Sequence, residues 1–288
     1  MNGVDLKRLR AGRLARLQGA MRRHDVDACL LFNEPNVRYA TGASAMPVWS
    51  NTSFVRCALV PARGLPILFE HPNSMHLFGE LEADVRPMHA WEFTDDVPSH
   101  ATIFARETIA AMRELGVTDD LLAIDRLGTP GFLALQAAGI SILDSARVTM
   151  EAREIKTPEE IEVLAMGGQV VTEMLRDFEA AIRPGITERE LLAVLAGALL
   201  AGGGEHLATN TVCSGPHTTP GGPRRLPERS NVATWSTSTP TRCAWRATSS
   251  ASRGRSCAAT PPLRESNVTR IERHTTGWRR RRISCALG

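Results

Sequence analysis

Proton transfer near neutral pH needs a side chain that holds and releases a proton there, and histidine is the residue whose ordinary range fits. The 288-residue sequence has eight histidines. One, His217, lies between two prolines in Ser214-Gly215-Pro216-His217-Thr218-Thr219-Pro220, a turn-rich loop. A surface-loop histidine is the plain reading of such a position. His71, His76 and His89 are scattered and read as structural. Six cysteines show neither CxxC pairing nor framework spacing, which suits reduced thiols better than a disulfide scaffold or a zinc site. Carboxylates, the usual ligands of hard cations, are plentiful up to Glu205, after which only Glu228, Glu265 and Glu272 remain.

That thinning belongs to a wider break in composition. Apolar residues make up 43% and charged residues 23% of the chain, enough to bury a core and, on a prior of about 150 residues per domain, enough for roughly two domains. The net charge of +3 hides opposite halves: residues 1–222 carry 20 Lys and Arg against 28 Asp and Glu, residues 223–288 carry 14 Arg against 3 Glu. The last 66 residues contain no Lys, Asp, Gln, Phe, Tyr or Met, and 18 of them are Ser or Thr. Apolar periodicity stops there too. An arginine-rich arm on nucleic acid would need such charge, and a tail without selected function would tolerate it. A third reading explains more: translation has left its frame. Taking each third base with the next two, with free synonymous choice, Ala233 to Pro240 can read Asp-Leu-Val-Tyr-Val-Asp-Thr, and strand-like apolar runs with paired carboxylates continue to Ala259. The break is expected between Pro220 and Ser230.

The body before the break reads as alternating elements. Leu6, Leu9, Leu14, Leu17 and Met21 repeat at helical spacing over Leu6 to Arg23. Ala28 to Phe32 is a short buried strand, Asn33-Glu34-Pro35-Asn36 a turn, and Val37 to Thr41 a helix or strand ending at Gly42. Strands over Cys57–Val60 and Leu65–Glu70 flank a turn at Pro61–Gly64. A helix is expected over Ser99–Leu115, a strand over Leu121–Asp125, a helix over Gly131–Ala138 and a strand over Ile140–Asp144. Thr157-Pro158-Glu159-Glu160 is a strong helix start, with a cap Thr, Pro at the first position and Glu where a capping box needs it. That helix runs to about Ile182; Thr187-Glu188-Arg189-Glu190 starts another, to Leu200. A strand and turn follow at Thr209–Pro216.

Four segments in this order resemble a known family. Arg153-Glu154-Ile155-Lys156-Thr157-Pro158-Glu159-Glu160 resembles the opening of the pita-bread catalytic domain of creatinase, aminopeptidase P and prolidase. Ile182-Arg183-Pro184-Gly185-Ile186-Thr187-Glu188-Arg189-Glu190-Leu191 resembles its helix junction, Ser214 to Pro220 its substrate-side loop, and Asn36-Val37-Arg38-Tyr39-Ala40-Thr41-Gly42 a segment of the creatinase-like N-terminal domain. The likeness covers residues 10–220 and is nearer to creatinase-like and dimethylsulfoniopropionate lyase-like members than to the true peptidases. It implies an α/β N-terminal creatinase-like domain (1–147) plus an incomplete α+β pita-bread domain (148–222), with 223–288 a basic, disordered, non-native tail.

The resemblance also implies site residues and partners. His217 corresponds to an acid/base histidine of the metal-free creatinase branch. Arg56 is near an arginine that binds a substrate carboxylate in the neighbouring subunit by bidentate pairing, a salt-bridged strand arginine being the plain alternative. Trp49 could wall that pocket or simply pack. Intact relatives often bind two divalent metal ions through two Asp, one His and two Glu beyond the Ser214 loop. None of these is carried over here, and even the hidden frame cannot encode Asp across Ser250 and Ala251. The expected function is therefore that of a hydrolase or lyase of the Xaa-Pro peptidase, creatinase or dimethylsulfoniopropionate lyase type, inactive as written, whose intact relatives take a small-molecule or short peptide substrate and form homodimers. A dimerisation or ligand-binding module made by the N-terminal domain is the alternative, and nucleic-acid binding through the tail the third. With no apolar run near the ~20 residues of a membrane span and no apolar region in Met1–Gln18, no membrane partner and a cytoplasmic location are expected.

Overall fold

Side chains alternate across a strand, and this rule sorts the central apolar residues into two layers. In the computed structural model, which describes residues 4–44, 52–207, 212–214, 235–236 and 243–244, Ala28, Leu30 and Phe32 face one layer, and Cys29 and Leu31 the other. Cys57 and Leu59 alternate with Ala58 and Val60 in the same way, as do Leu122 and Ile124 with Ala123. Strands apolar on both sides must be covered on both sides.

The covering helices follow from the sequence order. Helix α1 is Leu6–Arg23, capped by Asp5, which accepts from the Arg8 N–H at 3.0 Å. Strand β1 (Ala28–Leu31) leads into α2 (Glu34–Thr41), then β2 (Cys57–Pro61) and β3 (Ile67–Glu70). A 3-10 turn over Pro72–Phe78 precedes β4 (Asp84–Pro87). Helix α3 (Val97–Glu114), β5 (Leu121–Ile124), α4 (Thr129–Ala137), β6 (Ser141–Asp144) and α5 (Ala146–Glu154) complete the sheet region. The six strands lie in the order β4-β3-β2-β1-β5-β6. Strand β2 is antiparallel to β1 and β3; β4 is parallel to β3, and β1, β5 and β6 run parallel. Helices α3 and α4 cover one face with Trp91; α1, α2 and α5 cover the other. Each fully buried Leu, such as Leu17, Leu30 or Leu59, contributes about 1.5–3 kcal/mol.

Helix α6 (Pro158–Ala181) and α7 (Glu188–Ala201) follow. Compact unit one contains residues 1–168 and unit two begins at Gln169, inside α6. In unit two, Met174 and Phe178 pack with Ile186, Leu191, Leu195 and Leu199 in a separate small core. Two-residue strands β7 (His206–Leu207), β8 (Cys213–Ser214), β9 (Trp235–Ser236) and β10 (Cys243–Ala244) form two antiparallel pairs, β7 with β10 and β8 with β9.

Some sequence expectations shift. Pro35 stands in the first turn of α2 rather than in a separate turn, because its missing N–H costs a helix nothing there. Helix α3 starts at Val97, capped by Asp96, whose Oδ1 accepts from Ser99 N at 3.2 Å. The sequence marks neither β4 nor α5: β4 is an edge strand with no buried residue. No strand was expected at Trp235 or Cys243; the rest of 223–288 lies outside the described residues. Among the described residues no helix is long and apolar enough to cross a membrane.

Candidate functional site

Register brings the charged residues of β2 and β3 together. Cys57 pairs with Phe69, so the antiparallel ladder sets Arg56 beside Glu70. The Arg56 Nε lies 2.8 Å from Glu70 Oε2, an ion pair off the hydrogen-bond axis, and its Nη1 donates to Glu34 Oε2 at 3.0 Å. Glu34 comes from the first turn of α2, and Arg38, one turn on, approaches its other oxygen at 3.6 Å and donates to Ser44 Oγ at 2.8 Å. The Arg56 guanidinium also lies over the Phe78 ring, 5.1 Å from its centroid. Arg56 and Glu70 are both 3% exposed. Burial pushes the Glu70 carboxyl up, and Arg56 and the His71 N–H only partly draw it back. Trp49 and His217 lie outside the described residues.

A second carboxylate, which sequence reasoning missed, anchors α2. Asp125 follows β5, and its Oδ1 accepts from Phe32 N at 2.8 Å; its Oδ2 accepts from Asn33 N at 3.1 Å and from Asn36 Nδ2 at 2.7 Å. Helix α2 leaves β1 towards one face of the sheet and α4 leaves β5 towards the other. In a doubly wound sheet such a divergence opens a crevice for ligands at the strands' carboxyl ends. Here the protein's own carboxylate fills it, and the Asn33 N–H at the start of α2, the kind of group that would face an anion, is already taken. The one available signal was an Asp directly after a buried apolar run, Leu121 to Ile124.

The capping box expected at α6 is present. Thr157 N donates to Glu160 Oε2 at 2.9 Å, and Glu160 N to Thr157 Oγ1 at 3.2 Å. The second oxygen of Glu160 accepts from Arg13 Nε of α1 at 3.1 Å, with both side chains buried. Burial lowers the affinity of Arg13 for its proton, while Glu160 opposes this. Arg13 also lies over the Tyr39 ring, and Tyr39 Oη donates to Ala152 O at 2.8 Å. Two of the three histidines read as structural have local contacts: His71 Nδ1 accepts from Asn73 N at 3.3 Å, and His89 Nδ1 is 2.8 Å from Glu107. Cys29 and Cys57 are free, buried thiols. Burial pushes the Cys29 thiol up to about 12, so it is no nucleophile at neutral pH. Among the described residues no group of three or more His, Cys, Asp or Glu could hold a metal ion.

Comparisons with known proteins converge. Residues 13–155 match the Creatinase/Prolidase N-terminal domain. The chain is 30% identical over 227 residues to dimethylsulfoniopropionate lyase DddP of Roseobacter denitrificans, and 33% identical over 228 residues to the DddP of Roseovarius nubinhibens. Each match takes in 75% of this chain and 51% of the relative, so the chain spans about half the length of the curated relatives it matches. Prolidase from Thermococcus sibiricus superposes with a TM-score of 0.60 at 21% identity, covering 80% of this chain and 59% of that one. Prolidase from Pyrococcus horikoshii does so with 0.55 at 20%, covering 76% and 57%. At these identities the two structures show the fold alone. The chain thus belongs to the creatinase/prolidase family of pita-bread proteins, and its residues 13–155 form that family's N-terminal domain.

Proposed function

We propose that this chain derives from a pita-bread hydrolase or lyase, acting on a small molecule or short peptide, and that as written it lacks a working reactive centre. The observation that carries the family part is the likeness to two dimethylsulfoniopropionate lyases over 75% of the chain. The loss of activity rests on the sequence, in which residues 223–288 hold no Asp and only Glu228, Glu265 and Glu272. In intact relatives a pair of divalent ions would polarise the substrate and lower the pKa of a bound water. No step of this chain is routed through such a pair.

In the intact form that this reading implies, His217 would transfer the proton, and Arg56 and Trp49 would contact substrate. For Arg56 the geometry sets a condition. Its guanidinium already meets Glu34 and Glu70, so a substrate carboxylate would have to exchange with one of them. The test has two parts. Nucleotide sequencing across codons 220–231 should reveal the lost register, and an uninterrupted frame would overturn it. The chain as written and its frame-restored form should then be assayed with dimethylsulfoniopropionate and with Xaa-Pro dipeptides. Turnover with stoichiometric metal by the chain as written would defeat the loss-of-function part.

A second reading keeps the N-terminal domain as a dimerisation or ligand-binding module. It is supported by the completeness of unit one, whose six-stranded sheet is covered on both faces. Sedimentation showing a monomer that aggregates would count against it. A role for the arginine-rich tail on nucleic acid fails if deleting 223–288 leaves retention on DNA unchanged.

A further inference from the structure

The cations of α1 are paired with care. Lys7 meets Glu82, Arg8 meets Glu159, Arg13 meets Glu160 and Arg23 meets Glu151. Arg22 donates to the Ala62 carbonyl at 2.7 Å. Arg10 and Arg16 break the pattern, each half-buried and with no carboxylate partner among the described residues. They stand three residues before and after Arg13, so all three lie along one stripe of α1. That stripe runs against α2. The side chain of Arg10 lies so close over Gly42 that a Cβ there would meet its Nε at 2.6 Å, and Arg13 lies over Tyr39. The third exception comes from the other side. Arg153, in the last turn of α5, follows Ala152, whose carbonyl holds the Tyr39 hydroxyl.

Arg153 is unsatisfied in the same way. It is half-buried, and its guanidinium donates no hydrogen bond to any described residue. Burial lowers its affinity for the proton, and the opposing groups are Tyr39 and Asp125. Neither pairs with it directly: among the described residues no ion pair or hydrogen bond joins Arg153 to either, and both act on it only through the field. The Tyr39 phenol is held well above its ordinary range by burial, so it stays neutral, and its hydrogen is committed to Ala152. The Asp125 carboxylate is already taken by three N–H donors. The end of α5 offers partial negative charge to Arg153, but not the paired acceptors that a guanidinium fork matches. Arg13 lies over the Tyr39 ring, the Tyr39 hydroxyl meets the carbonyl next to Arg153, and Arg16 stands one turn on from Arg13, so the three gather around Tyr39.

We propose that Arg16 and Arg153, flanked by Arg10, form a binding site for a dianionic oxyanion of the phosphate class, at the meeting of α1, α2 and α5. A dianion is chosen over a lone carboxylate because more than one unpaired guanidinium must be matched, and phosphate accepts forked N–H pairs from several sides. The site lies wholly within unit one and does not depend on the function proposed above.

Thermal unfolding of the full chain in phosphate, against sodium chloride and acetate at matched ionic strength, tests it through linkage. Phosphate should raise the midpoint saturably, and acetate should not match it. Arg153→Gln and Arg16→Gln should each weaken the apparent phosphate affinity by about 10-fold or more, the effect of losing a charge-assisted contact. Arg63→Gln, on the exposed hairpin turn, should leave it unchanged. In chloride alone Arg153→Gln should keep or raise the midpoint, because it removes an uncompensated, half-buried charge. A phosphate effect that is absent, shared by acetate or unchanged in both variants overturns the proposal. So does an equal drop in midpoint in both salts, which would mark the arginines as packing elements. If Arg153→Gln fails to fold, Arg16→Gln carries the same test.

Discussion

Arg56 shows what a buried charge demands of its neighbours. Removing one partner from a buried ion pair leaves an uncompensated charge and costs about 3–5 kcal/mol. Arg56→Gln leaves Glu70 in that state and leaves Glu34 with Arg38, so urea unfolding near pH 7 should show a loss of that order. The pH dependence is specific. Glu70 is raised by burial even with Arg56 present. A raised carboxyl contributes stability that is full below its unfolded value and is lost as pH rises through the folded value. Without Arg56 it rises further, so the variant's deficit should be smaller near pH 4 than at pH 7; a pH-independent deficit would contradict the assignment. Asp125→Ala should be worse than Asp125→Asn, since it leaves three N–H donors without an acceptor where the amide oxygen still serves some of them. None of this was legible in the sequence, where Glu34, Arg56 and Glu70 are far apart and no local pattern joins them. What could be read was the plain alternative for Arg56, an arginine salt-bridged on a strand. His217 and Trp49 were legible only through resemblance, which supplies roles but no surroundings.

Elements whose signals are local were read well. Helix α1 matches its apolar repeat from end to end, and the two capping boxes at Thr157 and Thr187 are both formed. Thr157→Ala should cost about 1 kcal/mol in chemical unfolding, the usual value of a lost cap. Elements that depend on partners were missed. Strand β4 is recognisable only beside β3, and α5 because it packs on α1. The α1–α5 contact carries a charge staple, with Glu151 taking Arg23 Nε at 2.6 Å and His24 Nε2 at 2.6 Å. His24 and Arg23 hold the Glu151 carboxyl below its ordinary range. A depressed carboxyl contributes stability that is present above its unfolded value and lost as pH falls through the folded one. Glu151→Gln should therefore be less stable than the parent at pH 7, and the gap should close as pH falls below the carboxylate range. Because the group is exposed the effect should be small and should shrink in high salt. A gap that persists in acid would mean the glutamine had disturbed packing instead.

On the scale of the whole chain, two kinds of sequence sit side by side. Residues before the break carry caps, alternation and turn residues that agree with one another; residues after it carry no apolar periodicity that can be read. The consequence is physical. Among the described residues, α6 and α7 expose Ile161 at 57%, Leu175 at 46% and Leu200 at 59%. Exposed apolar side chains are an aggregation liability where nothing covers them. The chain as written should therefore express with low solubility and bind a hydrophobic dye such as ANS, whereas the frame-restored chain should be more soluble and bind less. Substituting Leu175 and Leu200 with Gln separates the cause. If those faces drive aggregation, the double variant of the chain as written should gain solubility, while the same substitutions should destabilise the frame-restored chain, where further sequence would have something to cover. Good expression of the unaltered chain as a stable, dye-silent monomer would refute the idea that its later residues fail to complete the fold.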